Sequence, residues 1–520
     1  MTVSDAPATS AAPAAPATAP ALPVYREIAL PASPLPIIAK AQRLLSLDVF
    51  RGVTIAAMIL VNNMDNPKYD ALEHANWHGW TPTDLIFPFF LFIVGVAMPF
   101  SFARRSKTTE QTRGQLLGRV WLRALSLWML GQLIFAFPMP LTTAMPYGFW
   151  GTKALRLFCF IFVYSSMVAL LVPWKSKRLQ MWIPPIVAVT FYLLLIAVHY
   201  TEQHALAAGW VGPFGERFRI FDPTNLRFPG VLQRIGLVYG IAGTIALFAG
   251  GWRTIVAAIV VLCAVYSGLM LKLPYGGHAG GSLTEEDNLA RYVDEKVFDR
   301  YTPNADGKRV YTQHHTYRNY PDNEGLMSSI PAIGTCLLGV LVGLRLRRED
   351  KAPVERIAGV LAVGVGTLTL GWLLNDWLMP INKNLWTPSF VFFTGGLAML
   401  MLGMLFWVID VLGYRRWTLP AVILGMNAIA AYVAASILPK LMNLIHVTDH
   451  AGNKSGLFEL AHRQYNAGVK AACEWATHLS PHMPAIDSAK NLNFASPIFL
   501  ILVIWLVMAV FYVFKIFVKV

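Results

Sequence analysis

Twelve apolar runs of about twenty residues each dominate this sequence, and runs of that length are those of helices that cross a bilayer. They fall at 45–63, 83–102, 118–137, 154–173, 180–199, 231–250, 254–273, 326–344, 357–377, 389–409, 418–438 and 496–516. The pair 154–199 is less cleanly apolar than the rest, so ten spans remain an alternative. Inside hydrocarbon every backbone N–H and C=O must be bonded within the protein, which restricts such a chain to helices or a closed barrel. The fold class expected is therefore an all-α polytopic integral membrane protein. Composition agrees, because 14% of residues are charged against about 25% in soluble domains.

The net charge of +14 would suit a nucleic-acid partner if it were gathered on one surface. Instead, alternate short loops hold Arg104, Arg105, Lys107 and Arg113, then Lys175, Lys177 and Arg178, then Arg345, Arg347, Arg348, Lys351 and Arg356. Lysine and arginine in short loops mark the cytoplasmic side. Both termini are thus expected in the cytoplasm, and no nucleic-acid partner is needed. Residues 1–42, rich in Ala and Pro and without the basic and apolar regions of a signal peptide, are expected to be a disordered cytoplasmic tail. Four cysteines, without CxxC spacing, suggest neither a disulfide framework nor a zinc site.

With this orientation all twelve histidines fall outside or at outer helix ends. Three pairs have helical i, i+4 spacing, His74 with His78, His446 with His450 and His478 with His482, but none has an evident third ligand, and no metal is expected.

Polar groups concentrate around the first two spans. Asp48 and Arg51 lie three apart on the first helix, where they share a face and can neutralise each other. Asn62 and Asn63 close that helix on the outside. The loop then carries His74, Trp77, His78 and Trp80, with Thr81 or Thr83 as a cap for the second span and Asp84 in its first turn. A carboxylate there suits the helix dipole, and it can also orient a neighbouring histidine. Three later outer stretches have the same character: Arg227 with Gln233 and Arg234, then Asp322, Asn323 and Glu324, then Asn382, Lys383 and Asn384 before Trp386. Basic and amide groups at helix N-termini suit an anionic or sugar ligand.

These stretches carry a resemblance. RLLSLDVFRG, HANWHGWTPTDLIFPFFLFIVG, RFPGVLQRIG, NEGLMSSIPAIGTCLLG, INKNLW and GMNAI are similar, in this order, to segments of the heparan-α-glucosaminide N-acetyltransferase family. The resemblance implies an enzyme that takes acetyl from cytoplasmic acetyl-CoA and passes it across the membrane to an amino sugar. It implies an active histidine at His74, in the His-Ala-x-Trp run, with His78 as a second imidazole close by, and an asparagine at Asn62 or Asn63. From these readings His74, Asn62 and Asp84 are candidates for the chemistry. Arg51, Gln233, Arg234, Asn382, Lys383 and Asn384 are candidates for holding the coenzyme, and Trp77, His78, Arg227, Glu324 and Trp386 for holding the acceptor. Residues 43–520 then form a transmembrane acyltransferase domain, with an extra helical hairpin within 138–226 and extracytoplasmic loops at 274–325 and 439–495. The expected partners are membrane lipid and glucosamine or a cell-wall-derived fragment, with a homodimer left open. The expected location is a bacterial inner membrane, the site facing the periplasm. A transporter of N-acetylglucosamine or a related sugar is the rival reading, although no internal repeat supports it.

Overall fold

The computed structural model describes residues 44–109, 112–135, 150–172, 174, 176–207, 230–298, 302–303, 309–310, 325–443, 445–448, 454–479 and 488–518. The tail 1–42 and the candidates Arg227 and Glu324 lie outside them.

The described chain is a stack of helices: α1 (Leu45–Asn62), α2 (Ile86–Thr109), α3 (Arg113–Phe135), α4 (Trp150–Leu171), α5 (Lys177–Ala207), α6 (Val231–Phe248), α7 (Trp252–Lys272) and the short α8 (Leu289–Phe298). After them come α9 (Leu326–Leu346), α10 (Pro353–Trp377), α11 (Pro388–Phe406), α12 (Leu419–Met426), α13 (Ala428–Met442), α14 (Leu457–Leu479) and α15 (Ser488–Val513). Among the described residues strand is confined to two small antiparallel pairs, 302–303 with 309–310 and 446–448 with 454–456.

Among the described residues nine helices are long and apolar enough to cross a membrane, or ten if a bent pair counts as one span. The sequence predicts twelve. The two windows without a counterpart of that kind are 118–137 and 154–173. Helix α3 covers the first but carries Arg119 and Arg123, and among the described residues of α4 the apolar stretch is Ile161–Leu171, too short to cross a membrane by itself. Arg123 lies over the ring of Tyr239 at 5.0 Å, a cation–π contact that lets a guanidinium stay between α3 and α6.

Small residues set how closely the helices approach, as is usual where lipid removes the hydrophobic drive for association. A Cβ on Gly95 of α2 would lie 1.9 Å from the carbonyl oxygen of Cys336 in α9, and one on Gly339 would lie 2.1 Å from that of Phe92. The pair α1 and α12 is just as tight: a Cβ on Gly52 would lie 1.8 Å from Ala421 O, and one on Gly425 1.9 Å from Asp48 O.

The bent pair, Arg416–Met426 with Ala428–Met442, turns by 68°. Asn427 is the corner. Its Nδ2 donates to Ile516 O at 3.2 Å and its Oδ1 accepts from Val518 N at 2.9 Å, so residues just beyond α15 bond to the break. At the opposite end of α15, Asn493 Nδ2 donates to Pro67 O at 3.1 Å and Asn491 is hydrogen-bonded to Tyr69, holding the loop after α1.

Candidate active site

Helices α2, α6, α9 and α11 all begin at one end of the bundle, and their first turns touch. The ring of Phe87 meets that of Trp386 edge to face, centroids 5.4 Å apart. Arg234 of α6 stacks on Trp386 at 4.7 Å, lies 5.9 Å from Phe87, and donates through Nη2 to Ser328 of α9. Trp386 is fully buried, takes φ of 53°, and donates its Nε1–H to Thr335 Oγ1 at 3.1 Å. Gln233 and Arg234, read from sequence as coenzyme ligands, are both buried, as is Trp386, read as an acceptor contact. Arg234 and Trp386 form the floor of the site, whereas Gln233 packs against Gly131 of α3.

Above that floor the loop between α1 and α2 folds back on a 3₁₀ turn, Pro82–Leu85. Thr81 and Asp84 make a reciprocal cap: Asp84 N donates to Thr81 O at 3.0 Å, and Thr81 N donates to Asp84 Oδ2 at 3.1 Å. Ala75 N adds a further bond to Oδ2 at 3.1 Å. The other carboxylate oxygen, Oδ1, faces His74 Nδ1 at 2.7 Å. Asp84 is 1% exposed, whereas the His74 side chain is 52% exposed. A buried carboxylate thus fixes one edge of a ring whose other edge is open.

A second loop, 378–387, completes the arrangement. Gly79 N donates to Ile381 O at 2.7 Å, and Asn382 Nδ2 donates to Trp77 O at 2.9 Å and lies 3.3 Å from His78 Nδ1. These bonds bring Lys383 to Asp84. Its Nζ is 3.2 Å from Asp84 Oδ1, 3.0 Å from His74 Nδ1 and 3.4 Å from His74 Nε2. Partial burial lowers the pKa of His78. Trp77 Nε1 donates to Leu283 O at 2.9 Å, tying the glycine-rich stretch after α7 to the same loop.

The sequence-predicted residues therefore separate into groups. His74, Asp84, Trp77, His78, Asn382 and Lys383 come together, although 309 residues separate His74 from Lys383. Asn384 is half-buried on the same loop. Asn62 is exposed at the end of α1, and no described hydrogen bond joins it to His74; its neighbour Asn63 bonds back to Ile59 O at 2.8 Å. Arg51 lies elsewhere, about 16 Å back along α1 from Asn62 at the usual helical rise. There its Nη1 contacts Asp48 Oδ1 at 3.2 Å and Gly425 O at 3.4 Å.

Two participants escape sequence reasoning. Thr81 is foreseen only as a helix cap, yet it also positions the carboxylate beside His74. Asp294 of α8 is 1% exposed, and its Oδ1 accepts from Leu326 N, the first residue of α9, at 3.1 Å. Burial pushes its carboxyl up to about 7, against the pull of the Leu326 N–H and of Arg234. Gly325 lies close beside it, and a Cβ there would meet Asp294 Oδ2 at 2.1 Å unless the carboxylate shifted.

Chemically, an imidazole whose Nδ1–H is held by a carboxylate presents the Nε2 lone pair to its surroundings, the arrangement of a base or nucleophile.

The sequence is similar to known proteins. Residues 43–229 match the family model described as heparan-alpha-glucosaminide N-acetyltransferase, catalytic. The chain is 25% identical over 438 residues to the heparan-alpha-glucosaminide N-acetyltransferase of Mus musculus, an alignment covering 76% of this chain and 54% of that protein. The Homo sapiens protein of the same name is also 25% identical over 438 residues, with 53% of its length covered. The chain thus spans about half the length of the curated relatives it matches. Taken together, the family match and the two alignments show that this multi-pass membrane protein is similar to heparan-alpha-glucosaminide N-acetyltransferases, over residues 43–229 for the family model and over 76% of the chain for the two relatives.

Proposed function

We propose that the chain is a membrane acetyltransferase that moves acetyl from cytoplasmic acetyl-CoA to the amino group of an extracytoplasmic amino sugar, glucosamine or a cell-wall fragment bearing it. In a bacterium that places the acceptor side in the periplasm. The observation that carries the reading is the 2.7 Å contact between His74 Nδ1 and the buried Asp84, with the rest of the ring exposed.

N-acetylation needs a polarised thioester carbonyl, a neutral amine and a group to take the amine's proton. With its Nδ1–H donated to Asp84, His74 offers Nε2 for two routes. As a base, Nε2 takes the proton while the amine nitrogen bonds to the acetyl carbon, the C–S bond breaks and thiolate leaves. As a carrier, Nε2 itself bonds to the acetyl carbon and expels thiolate. The amine then forms its own C–N bond as the Nε2–C bond breaks, and its proton passes to the freed Nε2. Trp77 and His78, on the same loop as His74, are assigned to hold the acceptor.

The test uses purified full-length chain, radiolabelled acetyl-CoA and glucosamine, with wild type beside His74→Ala. The expected result is acetylated sugar from wild type and a loss of at least about 10³ in rate from the variant, since the group carrying the proton or acetyl is gone. Sugar uptake into vesicles that survives His74→Ala, with no acetyl transfer to any amine, would refute the enzymatic reading in favour of transport.

A further inference from the structure

Lys383 carries more than the role its sequence context suggests. Beside an asparagine pair and ahead of a helix it reads as a phosphate or coenzyme ligand. In the structure it is drawn away from such a task. Its side chain is 13% exposed, and its Nζ lies within 3.4 Å of both ring nitrogens of His74 and 3.2 Å from Asp84 Oδ1. Asn382 and Trp386 fix the loop on either side, through the bond to Trp77 O and the ring packed against Arg234. The ammonium is therefore placed by the fold at the same carboxylate oxygen that holds the imidazole.

We propose that Lys383 belongs to the reaction centre: its ammonium neutralises Asp84 and stabilises the oxyanion formed on the acetyl carbonyl beside His74 Nε2. This deepens the acetyltransferase reading and rests on it. The first half follows from Coulomb's law. A cation 3.2 Å from the same carboxylate oxygen offsets its negative charge. The second half follows from reach. Whichever route operates, the carbonyl carbon passes through a tetrahedral state next to Nε2, with negative charge on oxygen. Oxyanion donors act at about 2.7–3.1 Å, and an ammonium 3.4 Å from Nε2 has that oxygen within reach. When the intermediate collapses, the C–S electron pair leaves with sulfur and the carbonyl re-forms, so Lys383 keeps its protons throughout. Asn62, the sequence candidate for this task, is exposed and makes no described hydrogen bond to the ring.

Wild type, Lys383→Met and Lys383→Arg in detergent separate the two roles. CoA binding is followed by calorimetry, folding by thermal melting, and turnover by thiol release with glucosamine. The expected result for Lys383→Met is a fall in kcat of at least about 10²-fold, the loss typical of one oxyanion donor. The KM for acetyl-CoA and the affinity for CoA should stay within about threefold, and Lys383→Arg should recover part of kcat because it restores the cation. A tenfold loss of CoA affinity with kcat retained would overturn the proposal and restore the coenzyme-ligand role. If Lys383→Met does not fold, Lys383→Arg and Lys383→Gln decide between the same outcomes, Gln keeping the polar contact without the charge. Wild type inactive with every amine would refute the enzymatic reading itself, whereas active wild type matched by a fully active Lys383→Met would refute only the assignment of Lys383.

Discussion

Replacing Asp84 by asparagine changes one oxygen to an amino group and leaves the shape of the side chain intact. The carboxylate meets donors on both sides. Ala75 N, Thr81 N and the Thr81 hydroxyl lie 3.1–3.2 Å from Oδ2, and His74 Nδ1 and Lys383 Nζ lie 2.7 and 3.2 Å from Oδ1. An amide keeps its carbonyl on the two backbone donors, which cannot turn away, and so directs its NH₂ at His74. That NH₂ only donates, so Nδ1 must accept and the ring proton moves to Nε2. The lone pair that the proposed acetyl transfer needs is then lost. The same exchange in a Ser-His-Asp triad costs roughly 10⁴ in kcat through the wrong tautomer. His74 is half open to water, which eases exchange between tautomers, so about 10³ is expected here, or about 4 kcal/mol at 1.36 kcal/mol per decade. The assay is thiol release from acetyl-CoA with glucosamine, with kcat and KM fitted separately. The KM for acetyl-CoA should move little, because Asp84 faces the ring and its own loop. An Asp84→Asn variant that folds and keeps kcat within tenfold of wild type would refute the argument that this carboxylate sets the tautomer.

Other consequences are equally direct. Asp294, raised by burial to about 7 from an ordinary value near 4, binds its proton more tightly folded than unfolded. The stability it contributes is complete below about pH 4 and is lost as pH rises to about 7, at up to about 1.4 kcal/mol per unit. Melting temperatures between pH 5 and 8 should therefore fall less in Asp294→Asn than in wild type; parallel curves would show that the group does not titrate there. Gly95→Leu forces a side chain into the α2–α9 contact, where even a Cβ would lie 1.9 Å from Cys336 O. It should give no monodisperse protein on size exclusion, while the neighbouring control Val94→Leu should. Trp77→Phe removes the Nε1 bond to Leu283 O and should lower stability by about 1 kcal/mol, seen as faster proteolysis of the 273–288 stretch at unchanged global melting; equal cleavage rates would refute the tether.

What the sequence discloses of this fold is what depends on neighbours along the chain. The apolar runs define the spans, and the short-range Asp84 cap and the His74 loop are visible because only ten residues separate the pair. Lys383 was legible as a polar residue at a helix start, but its placement beside His74 depends on a pairing of two loops that no periodicity encodes. Arg234 reads from sequence as an anion ligand at the start of a span, and its stacking on Trp386 and its bond to Ser328 are contacts that no spacing along the chain encodes. Asp294 lies on a short helix, LARYVDEKVF, and bonds to Leu326, 32 residues away, a pairing that the local pattern does not encode. The break at Asn427 was hidden because the window 418–438 is uniformly apolar, and composition does not reveal a bend.

The corner at Asn427 also bears on when the protein can finish folding. A straight span can complete its backbone bonds as soon as it leaves the ribosome, but this corner takes two of its bonds from residues made 89 and 91 positions later. At synthesis rates of about 5–20 residues per second, the bend waits roughly 5–20 seconds for Ile516 and Val518 to arrive. During that interval α1 must pack against a half that lacks its final anchor, with Gly52 and Gly425 in backbone contact across the seam. Emergence of the last span is thus the step that locks the first one in place.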